Sequence, residues 1–285
     1  MLPVIDILVD ATLITLVLML AASGLAVIFG LIGVINMGHG AMMTLGAYFT
    51  WAATSAGIPF PVAVIIAALG VGAVGLLLEH FLIRHFYDRP FETLLLTWGF
   101  FLVATEAIKI VFGTDFRNVT NPLPGTIGIF GLELPTYRAL VALLSVLLML
   151  GIGFLYKKTN LGLTVRALIQ NREVASLMGL DVSKLYKQVF VFGAFLAGLA
   201  GALISPMLSI DPYIGNVYLV RSFFVVTLGG LGQLVQGTLI GSFVIGGSET
   251  LFALATSQVF AQTIVFVLAV VLLRFFPRGI LSARS

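Results

Sequence analysis

Apolar residues run along this chain in long unbroken stretches, and polar positions are gathered into short interruptions between them. Bounded by Gly, Pro and charge, the stretches fall at 11 to 31, 41 to 56, 60 to 83, 93 to 112, 137 to 156, 189 to 209, 219 to 229, 237 to 256 and 258 to 276. A spanning helix needs about 20 mostly apolar residues, because in hydrocarbon every backbone N–H and C=O must be satisfied within the segment. The stretches at 41 to 56 and 219 to 229 are short and adjoin glycine-rich breaks, so the pattern predicts about eight to ten transmembrane helices, some broken. The runs are continuous rather than alternating, which disfavours a barrel with a polar lumen. The predicted fold class is therefore all-α, a polytopic helical bundle, with residues 1–285 forming a single transmembrane domain.

Composition agrees, with 60% hydrophobic and 9% charged residues against about 25% charged in ordinary soluble domains. The formal charge of +3 and pI near 9.3 do not indicate a nucleic-acid partner, since the basic residues stand between apolar spans and report topology. Loops at 84 to 92 and 157 to 188 and the C-terminus hold Arg84, Arg89, Lys157, Lys158, Arg166, Arg172, Lys184, Lys187, Arg274, Arg278 and Arg284, which is 11 of the 15 Lys and Arg. Lys109, Arg117, Arg138 and Arg221 flank the opposite loops. Because cytoplasmic loops carry the excess of Lys and Arg, the N-terminus, with Asp6 and Asp10, is expected outside and the C-terminus in the cytoplasm. The outer loop from Gly113 to Pro135 is rich in Gly, Pro, Asn and Thr and reads as a turn-forming excursion. The first basic residue is Arg84, so the first apolar run lacks the basic region of a signal peptide and is expected to stay.

The chemistry that the chain lacks narrows its function. It has no cysteine, so neither a disulfide framework nor a thiolate metal site is available. No H-E-x-x-H or G-x-S-x-G occurs, and the histidines are His39, His80 and His85. Neither a catalytic site, nor a metal, nor a cofactor is expected. No G-x-x-x-x-G-K-[ST] occurs either, so the chain does not hydrolyse ATP through such a loop and any such energy must come from another polypeptide.

Three segments carry more specific signals. In the loop at about 157–188, Asn171 fits an N-cap, Glu173 complements the dipole in the first turn, and Gly179 is a natural stop. Asp181 or Ser183 can then cap the next helix, which makes a short helix between spans. Near the N-terminus, Gly30, Gly33, Gly38 and Gly40 interrupt the helical pattern around Asn36 and His39. Freed backbone at membrane depth is tolerated only where protein or a water-filled cavity covers it, so this break marks either a substrate pathway or close helix packing. Farther on, Gly193, Ala197 and Gly201 share one helix face, as do Gly237 and Gly241, and packing is the expected role.

Ionisable residues within spans add candidates. Glu106 and Lys109, three apart, can pair with each other, and Glu79 near the end of its span reads as interfacial. Glu249 follows Gly246, Gly247 and Ser248 and has no nearby cation on its own helix, which makes it a candidate for the bundle interior.

Glu173-x-Ala175-x-x-x-Gly179 resembles the E-A-A-x-x-x-G loop of ABC importer permeases, with Val174 in place of the middle alanine. Gly33-Val34-Ile35-Asn36-Met37-Gly38-His39-Gly40 with Gly46-Ala47-Tyr48 is similar to a signature of the branched-chain amino acid branch, as are the later glycine segment and the Pro277-Arg278-Gly279-Ile280 ending. The resemblance implies a multi-pass permease in a bacterial inner membrane, surrounded by lipid. Its partners would be ABC ATPase subunits, a second homologous permease or second copy, and a periplasmic substrate-binding protein. The substrate would be a branched-chain or related amino acid. Urea or a short-chain amide is the alternative, on Asn118-Val-x-Asn121-Pro122, and an ion-coupled carrier or channel is the alternative of a different class. Glu173, Ala175 and Gly179 are the expected ATPase-coupling residues, and Asn36, His39 and Glu249 the candidate substrate pathway.

The cysteine-free chain makes orientation directly measurable. With an impermeant thiol reagent on intact cells, single cysteines within 118 to 128 should label from outside, and Ser176→Cys should not. Labelling of Ser176→Cys from outside would overturn the orientation.

Overall fold

Every long apolar run folds as a helix. In the computed structural model, which describes residues 2–87, 89–129 and 132–281, these are α1 (Leu2–Ile32), α2 (His39–Ser55), α3 (Phe60–Phe81), α4 (Pro90–Phe112) and α5 (Thr136–Lys158). Two extramembrane helices follow, α6 (Asn160–Gln170) and α7 (Arg172–Leu177), and then α8 (Val182–Ile204), α9 (Ile214–Gly229), α10 (Leu234–Ser242), α11 (Ser248–Ala255) and α12 (Gln258–Phe275). The side chain of Asp6 and the whole of Arg284, both used above to orient the chain, lie outside the described residues.

Among the described residues seven segments are long and apolar enough to cross a membrane, one of them Leu234–Ala255, in which α10 and α11 act as one span. The two short stretches become α2, with 17 residues, and α9, with 16. The molecule is a multi-pass helical membrane protein. The loop after α4 holds a hairpin, β1 (Thr126–Ile129) antiparallel to β2 (Leu132–Pro135), in the register Thr126↔Pro135. Arg117 ties this loop to the one before α9 through a backbone bridge to Ile210, and its guanidinium lies 4.9 Å from the centre of the Trp51 ring.

The bundle is organised around α1 and α8. In their spanning windows 78% and 72% of residues are buried, against 17% for Gln258–Phe275, so these two are the enclosed axis and α12 belongs to the rim. Rim helices turn Val103, Ile110, Leu147 and Val267 outward, where hydrocarbon would meet them. Lipid offers little hydrophobic drive for one helix to leave it for another, so association depends on close van der Waals packing across small residues. A Cβ on Gly193 of α8 would meet the carbonyl oxygen of Gly24 on α1 at 2.8 Å and the Ile28 side chain. Gly201 lies against the Met43 backbone of α2, and Gly241 against the Val225 backbone of α9. The small residues expected to serve packing do so. Forcing a methyl into such a contact costs about 1–3 kcal/mol.

Two irregularities place polar groups inside the bundle. Between α1 and α2 the chain leaves the helix at Gly33, whose φ of +70° suits a residue without a Cβ. The freed groups are met locally: the Met37 amide donates to Thr97 Oγ1 on α4 at 3.0 Å, and the Gly38 amide donates to Asn36 Oδ1 at 3.0 Å. The second is a π-turn over Phe243–Gly247, between α10 and α11. Such a turn inserts an extra residue and resets the face of whatever follows it. Glu249 follows it directly.

Candidate functional site

At one end of the bundle three polar caps build the extramembrane helices. Thr159 Oγ1 accepts from the Gly162 amide at 3.2 Å to start α6, and Asn171 Oδ1 accepts from the Val174 amide at 3.0 Å to start α7. Gly179, at φ +83°, ends the turn, and Asp181 Oδ1 accepts from the Lys184 amide at 2.9 Å to begin α8. An Asn, Asp or Thr cap contributes about 1 kcal/mol, so three in 23 residues fix the path of this loop.

The six residues of α7 divide between anchoring and display. Ala175 is buried and belongs to the same apolar cluster as Leu168 and Leu185. Glu173 is exposed. Leu177 and Met178 are 87% and 78% exposed, although they stand outside the membrane-spanning segments. Motif reading singled out Glu173, Ala175 and Gly179 and passed over this apolar pair. Two large hydrophobes just before a helix-stopping glycine were the available signal.

A chain of aromatic contacts fastens α7 to α3. The Arg172 guanidinium lies 5.2 Å from the centre of the Tyr186 ring, and that ring meets Tyr87 edge-on at 4.6 Å. Tyr87 donates its hydroxyl proton to Glu79 Oε1 at 2.8 Å. Burial first, and then the Glu79 carboxylate, push the Tyr87 phenol far above its ordinary range, so it remains a donor. Glu79, read from sequence as interfacial, is 1% exposed and enclosed.

Deeper in the bundle and toward the opposite end, Glu249 finds the partner its own helix lacks. Arg221 Nη2 of α9 lies 2.7 Å from Glu249 Oε1, with the two side chains 12% and 5% exposed. Gln258 Nε2 donates to the same oxygen at 3.0 Å. The pair forms one wall of a cavity of about 300 Å³, with Ile14, Val17, Leu18, Met207 and Leu208 as its apolar surface. Arg138, also in the lining, is held by Asp10 at 3.1 Å. Sequence reading had grouped Arg221 with cations flanking an outer loop, whereas it sits inside α9.

Asn36 and His39 belong to a different place. Both are buried, and neither lines this cavity. Asn36 closes the helix break, and His39 Nε2 donates to the Ala21 carbonyl of α1 at 2.9 Å, which puts its proton on that nitrogen. The candidate pathway residues thus separate into a sealed break and a charged chamber.

A membrane bundle with an anchored extramembrane helix at one end and an ion pair facing a partly open cavity is suited to moving a solute, and its relatives agree that this is a transport permease. Residues 7–274 match the family described as branched-chain amino acid transport system / permease component, and the chain belongs to that family. It is 26% identical to the high-affinity branched-chain amino acid transport system permease protein LivH of Escherichia coli (strain K12) over 281 residues, covering 92% of this chain and 90% of that one. BraD, the corresponding permease protein of Pseudomonas aeruginosa, is 24% identical over 279 residues, covering 92% and 91%. The ribose import permease protein RbsC of Haemophilus influenzae is 26% identical over 226 residues, covering 76% and 68%.

The engagement of His39 with α1 has a measurable consequence. His39→Ala removes a buried hydrogen bond and should destabilise the chain by about 1–3 kcal/mol, seen as a lower melting temperature. Unchanged melting together with lost uptake would instead assign His39 to direct contact with solute.

Proposed function

We propose that this chain is the membrane-spanning subunit of an ATP-driven importer of branched-chain or related amino acids. Residues 1–285 serve as one permease domain in a bacterial inner membrane, with the N-terminus outside and the C-terminus in the cytoplasm. It works with ABC ATPase subunits, a second permease chain or second copy, and a periplasmic binding protein that delivers substrate.

The observation that carries this reading is the construction of α7 within the loop at about 157–188. A helix of six residues is too short to persist alone, and here it is capped by Asn171, stopped by Gly179 and anchored by Ala175. The arrangement leaves Leu177 and Met178 standing free, as a docking surface for another protein requires. Glu173 offers its charge beside them. A self-sufficient ion-coupled carrier has no use for such a surface.

Relatives of this chain are named for amino acids and for a sugar, so similarity alone does not select the substrate. The chamber supports an amino acid: it presents both signs of charge and an apolar wall, whereas urea, an amide or a sugar carries no charge to match them. Glu249 is the pathway residue in this reading. Asn36 and His39 support the route by holding the α1–α2 break closed.

Gly179→Trp tests the docking surface. Open space surrounds Gly179, so the substitution is opposed by its φ of +83° rather than by a clash, at roughly 1–2 kcal/mol. The chain should insert normally while uptake falls by about tenfold or more, the equivalent of ~1.4 kcal/mol of lost coupling. If a purified complex carrying Gly179→Trp kept full substrate-stimulated ATP hydrolysis, the docking assignment would be wrong.

A further inference from the structure

We propose that Arg221 and Glu249 form an exchange site for an α-amino acid zwitterion. The carboxylate of the solute takes over the Arg221 guanidinium, and its ammonium takes over the Glu249 carboxylate. The inference rests on the proposed role as an amino acid importer and names the chemistry by which its chamber recognises substrate.

A buried ion pair is costly to open, because removing either partner leaves an uncompensated charge away from water. A neutral solute cannot open it, and a singly charged one leaves one charge unpaired. Only a molecule with both charges at short separation can enter between Arg221 and Glu249 and leave each with a partner. The 2.7 Å contact is thus a lock matched to a zwitterion.

The surroundings fit such an exchange. Guanidinium carries five donors; the Glu249 contact uses Nη2, and Arg221 Nε is buried without a hydrogen-bond partner among the described residues, so the group has donor capacity beyond its bond to Glu249. Gln258 stays within reach of the Glu249 carboxylate as the pair separates. Ile14, Val17, Leu18 and Met207 give a branched aliphatic side chain an apolar wall beside the charges. A volume of about 300 Å³ accommodates one small amino acid. The π-turn at Phe243–Gly247, immediately before α11, gives the helix bearing Glu249 a point at which it can shift.

The test measures thermal melting of the full chain in lipid nanodiscs with leucine, 4-methylpentanoate, which lacks the ammonium, or 3-methylbutylamine, which lacks the carboxylate. Leucine should raise the melting temperature of the wild-type chain more than either analogue does. The double variant Arg221→Gln/Glu249→Gln removes both charges together, so neither is left unpaired and the fold is retained. In it the advantage of leucine should vanish, with its binding weakened by about tenfold or more, as for the loss of a charged hydrogen bond. Glu249→Gln alone should bind 4-methylpentanoate as well as leucine. The exchange is overturned if leucine does not shift the wild-type chain, or if the double variant keeps the preference for leucine, in which case the pair is a structural staple between α9 and α11. Chain-dependent leucine uptake by cells is a separate arm: its absence contradicts the reading as an amino acid importer, and its presence beside a failed exchange leaves that reading intact.

Discussion

The close approach of α1 and α8 is the contact on which the other features of this bundle depend. Neither Gly24 nor Gly193 has room for a Cβ, since each faces backbone of the other helix. With that contact made, α2 and α3 close on the remaining faces of α8, and the rim helices are left to meet lipid. In hydrocarbon this is how helices associate: steric fit replaces the hydrophobic drive of a soluble core. The near-uniform apolarity of the spans therefore says where the helices are, and the small residues say which of them touch.

Because α8 is the enclosed rod, it joins the two functional regions physically. At its first turn it carries the Asp181 cap and, at Tyr186, the ring beneath Arg172 of α7. At its far end the chain continues into Met207 and Leu208 of the chamber wall. α1 contributes Ile14, Val17 and Leu18 to the same wall and holds His39 farther along its length. The helix that follows the α7 loop therefore runs on, without a break in the chain, into a wall of the chamber.

The existence and most boundaries of the spanning helices were legible from the run lengths alone, because a membrane span must be apolar over its whole length; α6, outside the spans, was not. The caps at Asn171 and Asp181 and the stop at Gly179 were legible for a different reason: each acts within four residues of its own position in the chain. The Arg221–Glu249 pair was not legible. Its members are 28 residues apart on different helices, and a uniformly apolar helix has no periodicity to show which face turns inward. The π-turn hid the phase of Glu249 further. Leu177 and Met178 were overlooked because apolar residues are unremarkable in a chain this hydrophobic; only their exposure outside the spans distinguishes them.

That exposure is where the account is most open to direct test. The chain has no cysteine of its own, so Leu177→Cys introduces a single reactive site, and Leu147→Cys on the lipid-facing rim serves as its control. In membranes containing the assembled transporter, a short bifunctional thiol–amine reagent should join position 177 to an ATP-hydrolysing subunit and leave position 147 unjoined. No adduct at 177 from a fully inserted chain, or equal adducts at both positions, would contradict the claim that α7 is the surface through which this permease is driven.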